Sequence, residues 1–221
     1  MSDEATQTQE ARDRTRDERE GLTDDQRDRR AMALSQLRSF GDPALRSRAS
    51  EVRQFDGELA SEAERMIVIM RDAMGVGLAA TQLGVMRRLL VFQAGSEATP
   101  TGLVNPEVEW LSDEEAIAEE GCLSIPGIAV DVERPLHARV RGLDVRGEPL
   151  LLEASGLEAR VLQHEIDHLD GVLILDRTSR EQRKGALRAL REGTTYAPPR
   201  PEDDGDRGSE QAGANAQPAA A

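Results

Sequence analysis

The sequence predicts an α+β domain: small mixed or antiparallel β-sheets packed around a central helix, with a further helix toward the C-terminal end. Three observations predict it. One long apolar stripe at helical spacing runs between residues 57 and 74. Short strand-like segments, divided by turn residues, then fill residues 101–153. Two more helical segments follow after residue 155. Strands grouped together, instead of alternating with helices, favour α+β over a chain of βαβ units.

The folded part is expected to be one domain over residues 34–193. Residues 1–33 carry ten acids and seven arginines and almost no large apolar group. Such a segment buries too little surface to offset its ordering entropy, so a disordered tail is expected. Opposite charges at helical spacing would allow transient helix there. Residues 194–221 are rich in Pro, Ala, Gly and acids and are expected to be a second disordered tail.

Within the domain, Gly41-Asp42-Pro43 signals a turn. Leu59, Ala63, Met66, Ile67, Met70 and Met74 recur at steps of three and four, which predicts a helix from about Gly57 to Met74. Its methionines are read as core packing. Gly75 stands where a C-terminal glycine ends a helix. A Gly-rich loop is expected from Gly75 to Gly84, then a strand from Arg88 to Gln93. Further strands are LVNPEV, IAVDVE, HARVRGLDV and PLLLE. Asn105-Pro106, Ile125-Pro126-Gly127, Arg134-Pro135 and Gly147 are read as the turns between them. Ser155 and Glu158 are spaced for a capping box, so the next helix is expected to start near Ser155 and end near Asp170-Gly171. A strand over Val172–Leu175 and a helix over Ser179–Arg191 complete the expected order.

Composition narrows the function classes. The net charge of −14 argues against general nucleic-acid binding and so against DNA as a partner. A single cysteine, Cys122, allows no internal disulfide and fits a reducing compartment. No apolar run marks a signal peptide, a transit peptide or a membrane span. A cytoplasmic monomer with no membrane partner is the expectation.

The chemistry centres on His164-Glu165-x-x-His168. Residues four apart share one helical face, so both imidazoles can converge on one ion. A metal lowers the pKa of water that it binds to about 7, and a neighbouring carboxylate can move the proton. Two surface histidines on a helix would also produce this pattern by chance. The chain has only three histidines, however, and two of them lie in the motif. The third ligand is open at this level. A protease-type extension fails because Ile174 stands where its last histidine would be. Glu181 and Glu192 lie in an Arg-rich helix and read as solvated charges, and His137 reads as a surface residue on a strand. Cys122 remains, in a turn-like Glu120-Gly121-Cys122-Leu123-Ser124 stretch, and a thiolate suits Zn²⁺ or Fe²⁺. A lone cysteine is more often a small buried hydrophobe. The flanking glycine, acids and serine weigh against that. The Gly75–Gln82 segment lacks the lysine of a phosphate-binding loop. Its glycines would instead let backbone approach a ligand closely.

Three segments, G-V-G-L-A-A-T-Q (Gly75–Gln82), E-G-C-L-S (Glu120–Ser124) and Q-H-E-I-D-H (Gln163–His168), resemble the three signature motifs of peptide deformylases, in order and at suitable spacing. F-G-D-P-A-L-R (Phe40–Arg46) looks like the opening segment of that family. The resemblance covers about residues 36–190. It departs from the family in its long tails and in its scarcity of aromatic residues.

The resemblance implies a metal-dependent amide hydrolase that removes the N-formyl group from the N-terminal formyl-methionine of newly made polypeptides and releases formate. It implies one divalent ion, Fe²⁺ in cells and Zn²⁺, Ni²⁺ or Co²⁺ in preparations, held by Cys122, His164 and His168 on the central helix. Glu165 would act as general base and then acid for a metal-bound water. Gln82 and the Leu123 backbone N–H would meet the oxyanion. Gly75, Val76 and Gly77 would pair with the substrate backbone. Val76, Leu123, Leu157, Val161 and His164 would surround the methionine side chain. Glu120 is expected to pair with Arg134 and brace the Cys122 turn. Six bases between Arg177 and Arg191, against one acid, suit a solvated helix whose charge complements its C-terminal dipole; the sharper expectation is contact with ribosomal RNA near the nascent-chain exit.

Overall fold

The computed structural model describes residues 21–95 and 97–199. Its helices are α1 (Asp24–Ser35), α2 (Gly57–Asp72), α3 (Leu157–Leu169), α4 (Ile174–Arg177) and α5 (Arg180–Glu192). Its strands are β1 (Gly77–Ala79), β2 (Leu89–Phe92), β3 (Thr101–Leu111), β4 (Glu115–Cys122), β5 (Ile125–Pro135), β6 (His137–Leu143) and β7 (Pro149–Ser155). Short 3₁₀ turns occupy Pro43–Arg46 and Ala80–Leu83. The class is α+β, as expected. The strands form a five-stranded sheet in the order β1-β2-β3-β6-β7 and a separate β4-β5 hairpin. Every named pairing is antiparallel.

The large sheet is covered on both faces. Leu89 and Val91 of β2 pack in one cluster with Leu59, Ala63, Met66, Ile69 and Met70 of α2. Leu90 and Phe92 pack in another with Ala159, Leu162, Ile166 and Leu169 of α3. Successive strand residues point to opposite faces, so a strand between two helices must be apolar throughout. That is why L-L-V-F is uninterrupted. The hairpin packs separately: Ile125, Ile128, Val130 and Val132 of β5 meet Leu173, Ile174 and Leu175 and Ala186 and Ala189 of α5. Helix α3 therefore lies between the sheet and the hairpin, which is what makes it central.

Several boundaries differ from the sequence reading. The expected N-terminal tail ends in helix α1, capped by Thr23 and Gln26 in a capping box. Ala33 is buried there, and Leu34 and Leu37 pack on the α2 cluster. Averaging composition over residues 1–33 hid this capped end, whose last turn packs on the domain. The expected C-terminal tail also begins late. Tyr196 N donates to Gly127 O, and Ala129 N donates to Tyr196 O, extending the hairpin edge. Residues 1–20 and 200–221, where the rest of both tails was placed, lie outside the described residues.

The Gly-rich loop is not a loop: it contains β1 and the 3₁₀ turn. Asn105-Pro106 does not end a strand. Asn105 sits at φ 51 inside β3, and its side chain exchanges two hydrogen bonds with the Val52 backbone. Pro126-Gly127 likewise lies within β5. Helix α3 starts after Gly156, not at Ser155; Ser155 ends β7, and its hydroxyl is 2.8 Å from His137 Nδ1. Val172–Leu175 is not a strand but leads into the single helical turn of α4. A short buried apolar run has no periodicity with which to tell the two apart. Among the described residues, no helix is long and apolar enough to cross a membrane.

Gly171 turns the chain out of α3 at φ +75, and a Cβ there would lie 2.8 Å from the Arg46 carbonyl carbon and oxygen. Gly193 ends α5 at φ +66 with nothing within 4 Å. Gly193→Ala should cost only the left-handed strain, about 1–2 kcal/mol. Gly171→Ala should cost clearly more, because backbone must also move. Thermal or urea unfolding of the two variants checks this ranking.

Candidate metal centre

His164 and His168 project from one face of α3, with ring centroids 4.9 Å apart and planes crossing at 77°. Cys122 is the last residue of β4, not part of a turn as its glycine neighbour suggested. Its strand reads poorly in sequence because E-A-I-A-E-E-G-C has few large apolar residues. Cys122 Sγ lies 3.2 Å from His168 Nε2. One ligand atom from each of Cys122, His164 and His168 fits within a span of 4.8 Å. Two imidazoles and a thiolate from rigid elements form a three-donor set that leaves a further position open, as catalytic zinc-type sites do. This set fits a divalent metal ion. Among the described residues it is the His, Cys, Asp and Glu group near enough for one ion. His137, weighed as an alternative ligand, sits on β6 beside Ser155.

Glu165 is buried beside this cluster, and its Oε2 has no hydrogen-bond partner among the described residues. Burial pushes its carboxyl group up to about 7. Gly77 explains how β1 comes so close: a Cβ there would lie 2.4 Å from Glu165 Oε1. Burial is the first cause that holds the His168 pKa well below its ordinary value.

Gln82 lies in the 3₁₀ turn and is buried. Its Oε1 accepts from Ala79 N at 2.9 Å, which aims its amide nitrogen the other way. That nitrogen is 3.3 Å from Ser124 Oγ and 3.8 Å from Cys122 Sγ. Leu123 packs against Gly75, where a Cβ would lie 2.8 Å from Leu123 Cδ1. Val161 is buried in the α3 cluster, whereas Leu157 and Val76 are exposed at 54% and 46%, free to meet a ligand.

Glu120 and Arg134 form a bidentate pair, Nε–Oε1 2.6 Å and Nη2–Oε2 2.9 Å. The pair does more than brace Cys122, because Glu120 Oε2 is also 3.0 Å from His164 Nδ1. A carboxylate on the outer nitrogen orients the ring and sets its tautomer. Burial works to raise the Glu120 pKa, but hydrogen bonds from His164 and Arg134 outweigh it and hold the carboxyl well below the usual range. Arg134 also donates to Asp167 at 2.9 Å, and Asp167 accepts from Arg177. Arg160, Asp167 and Arg177 were absent from the sequence reading of the site, and Ser124 entered it only as a neighbour of Cys122. Arg160 carried one signal: it stands four residues before His164, on the same face of α3.

Comparisons with known proteins show the family. The family described as polypeptide deformylase matches residues 34–184. The chain belongs to the polypeptide deformylase family. The peptide deformylase of Acidothermus cellulolyticus is 48% identical over 161 residues, covering 73% of this chain and 88% of that protein. Peptide deformylase 1 of Corynebacterium glutamicum is 45% identical, covering 72% of this chain and 96% of its own length. The crystal structure of the Thermotoga maritima deformylase aligns with a TM-score of 0.63 at 48% identity, over 65% of this chain and 96% of that one. The Synechococcus elongatus deformylase in complex with actinonin aligns with a TM-score of 0.67 at 40% identity, over 72% of this chain and 88% of that one. As a deformylase-family member the chain is an enzyme, a metal-dependent hydrolase of protein biosynthesis that acts on the formyl group of new polypeptides.

Two outcomes follow from the site. Elemental analysis after loading with Co²⁺ or Zn²⁺ should find near-stoichiometric metal in the wild type and little in Cys122→Ala or His168→Ala. Arg134→Met leaves Glu120 and Asp167 buried with fewer partners, and breaking such a pair costs about 3–5 kcal/mol. Chemical denaturation should read that loss.

Proposed function

We propose that this chain deformylates nascent polypeptides by hydrolysis at a divalent ion held by Cys122, His164 and His168, with Glu165 moving the proton. The observation that carries the reading is the convergence of one sulfur and two nitrogen donors within 4.8 Å, with Glu165 next to one of them on α3. A bound ion supplies Lewis acidity at the formyl group, and Fe²⁺ is our assignment in cells. Glu165 takes a proton from the attacking water as its oxygen bonds to the formyl carbon. The carbon–nitrogen bond then breaks, Glu165 returns the proton to the departing amine, and formate leaves. Gln82 Nε2 and the Leu123 N–H donate to the oxygen that gains charge, each worth roughly 3–4 kcal/mol in such sites.

Strand β1 is an edge of the five-stranded sheet, paired with β2 on one side only. Its other edge suits an extended peptide adding as a strand along Gly75–Gly77. Exposed Val76 and Leu157, together with Leu123, Val161 and His164, are assigned to the methionine side chain. Anaerobic Fe²⁺-loaded protein should release formate from formyl-Met-Ala-Ser; metal-loaded protein that releases none rejects the reading. Glu165→Gln should lower kcat by about 10²–10⁴-fold with metal content kept. Gly77→Ala should lower turnover with little change in melting temperature, since the Glu165 side chain can give way where backbone could not.

The ribosome as a partner is a second part of this proposal. Arg177 and Arg183 are engaged with Asp167 and Asp176. Arg180, Lys184, Arg188 and Arg191 stay exposed at steps of four, four and three along α5. One basic stripe on an acidic protein suits a phosphate backbone. Co-sedimentation with ribosomes should weaken with rising salt and with Arg180→Glu/Lys184→Glu/Arg188→Glu together; binding indifferent to both removes this part.

A further inference from the structure

We propose that Arg160 is a positioning residue that sets how firmly the site retains its metal ion. The inference rests on the metal-site reading above and concerns a residue that supplies no ligand. Two ligands come from α3 and one from β4, so the site exists only while the hairpin and the helix keep one spacing. Two guanidinium groups cross that gap in opposite senses. Arg134 reaches from β5 of the hairpin to Asp167 of α3 at 2.9 Å. Arg160 reaches from α3 to the hairpin, donating to Glu120 Oε1 at 2.7 Å, Val132 O at 2.9 Å and Ala116 O at 2.6 Å. It thus grips the backbone of both hairpin strands and the one carboxylate that touches a metal-ligating histidine.

The Glu120 carboxylate is saturated by this arrangement. Oε1 accepts from Arg134 Nε and Arg160 Nη1, and Oε2 accepts from Arg134 Nη2 and faces His164 Nδ1. Without Arg160, Oε1 keeps only the Arg134 donor. The carboxylate is then held by the Arg134 fork alone and can tilt with it away from Nδ1 of His164. The hairpin strand that ends in Cys122 also loses two of its ties to the helix. Both changes loosen ligands without removing one. Arg134 alone cannot compensate, because its other nitrogen is committed to Asp167. Lysine cannot replace Arg160 fully: a point charge with no fork cannot match the two guanidinium nitrogens that share these three acceptors.

The test uses Co²⁺-loaded full chain. Its visible absorption reports ligand geometry, and its release to a chelator reports retention. Arg160→Met should release cobalt up to about 10-fold faster, the low end of the loss for direct partners of a metal ligand, because Arg160 acts through Glu120, and its absorption bands should shift. Arg160→Lys should fold and release cobalt at an intermediate rate. Asn105→Ala serves as a control, because it breaks the Asn105–Val52 tie, which involves neither the hairpin nor α3. It should lower the melting temperature and leave cobalt release unchanged. Wild-type release and spectrum in Arg160→Met overturn the proposal, and in that case Arg160 merely staples the fold. If Arg160→Met does not fold, wild-type behaviour of Arg160→Lys overturns it equally. A wild type that binds no cobalt at all sinks the metal site itself, which is a separate result.

Discussion

The Glu120 carboxylate is the contact on which the rest of this structure depends. It is buried, and it lies between the hairpin that carries Cys122 and the helix that carries both histidines. An ionised carboxylate in that position is costly unless every lone pair is used. Here Arg134, Arg160 and His164 use them. The cost of burying the charge is what makes the arrangement specific. Any slip of the hairpin along α3 would strand a charge in the interior, so one relative placement is strongly preferred over its neighbours. The metal donors inherit their spacing from that preference.

The remaining architecture holds the other half of the site against this unit. Helix α3 is fixed from behind by the sheet, through Leu162, Ile166 and Leu169, while its other face turns to the hairpin. Strand β2 is clamped between α2 and α3 by alternating side chains, and β1 hangs on β2 as the sheet edge. That chain of contacts delivers Gly77 to Glu165 and Gln82 to Cys122 and Ser124. A main-chain clasp adds to it: Arg38 N donates to Gln82 O, and Phe40 N donates to Ser124 O. The short Arg38–Phe40 stretch thus ties the two groups of site residues from outside.

The donors themselves were legible before any fold was known, because their chemistry is local. Two histidines four apart share a helical face in any helix, and a lone cysteine among glycine and acids is an unusual hydrophobe. The charged shell was only half legible. Glu120 and Arg134 came from resemblance, whereas Arg160 and Asp167 looked like two more charges in a chain rich in them. Nothing local distinguishes an arginine that faces water from one that crosses to another element. Strand β4 was missed for a related reason: its pairing with β5 is made by backbone, and its Ala and Glu side chains carry no strand pattern. Ser155 had the spacing of a cap, yet it belongs to β7, and Gly156 turns the chain at φ 56 instead.

By itself, then, the sequence determined the class of fold, the helix that bears the histidines and Cys122 as a candidate third donor beside them. Those rest on periodicity and on side-chain chemistry, which are properties of neighbours along the chain. Tertiary structure alone decided that Cys122 ends a strand, that β1 is an open sheet edge, and that one carboxylate joins two arginines to a histidine. These are contacts between residues far apart in sequence. Their energy comes from backbone pairing between strands and from burying charges together with their partners, and no single stretch of chain can complete either by itself.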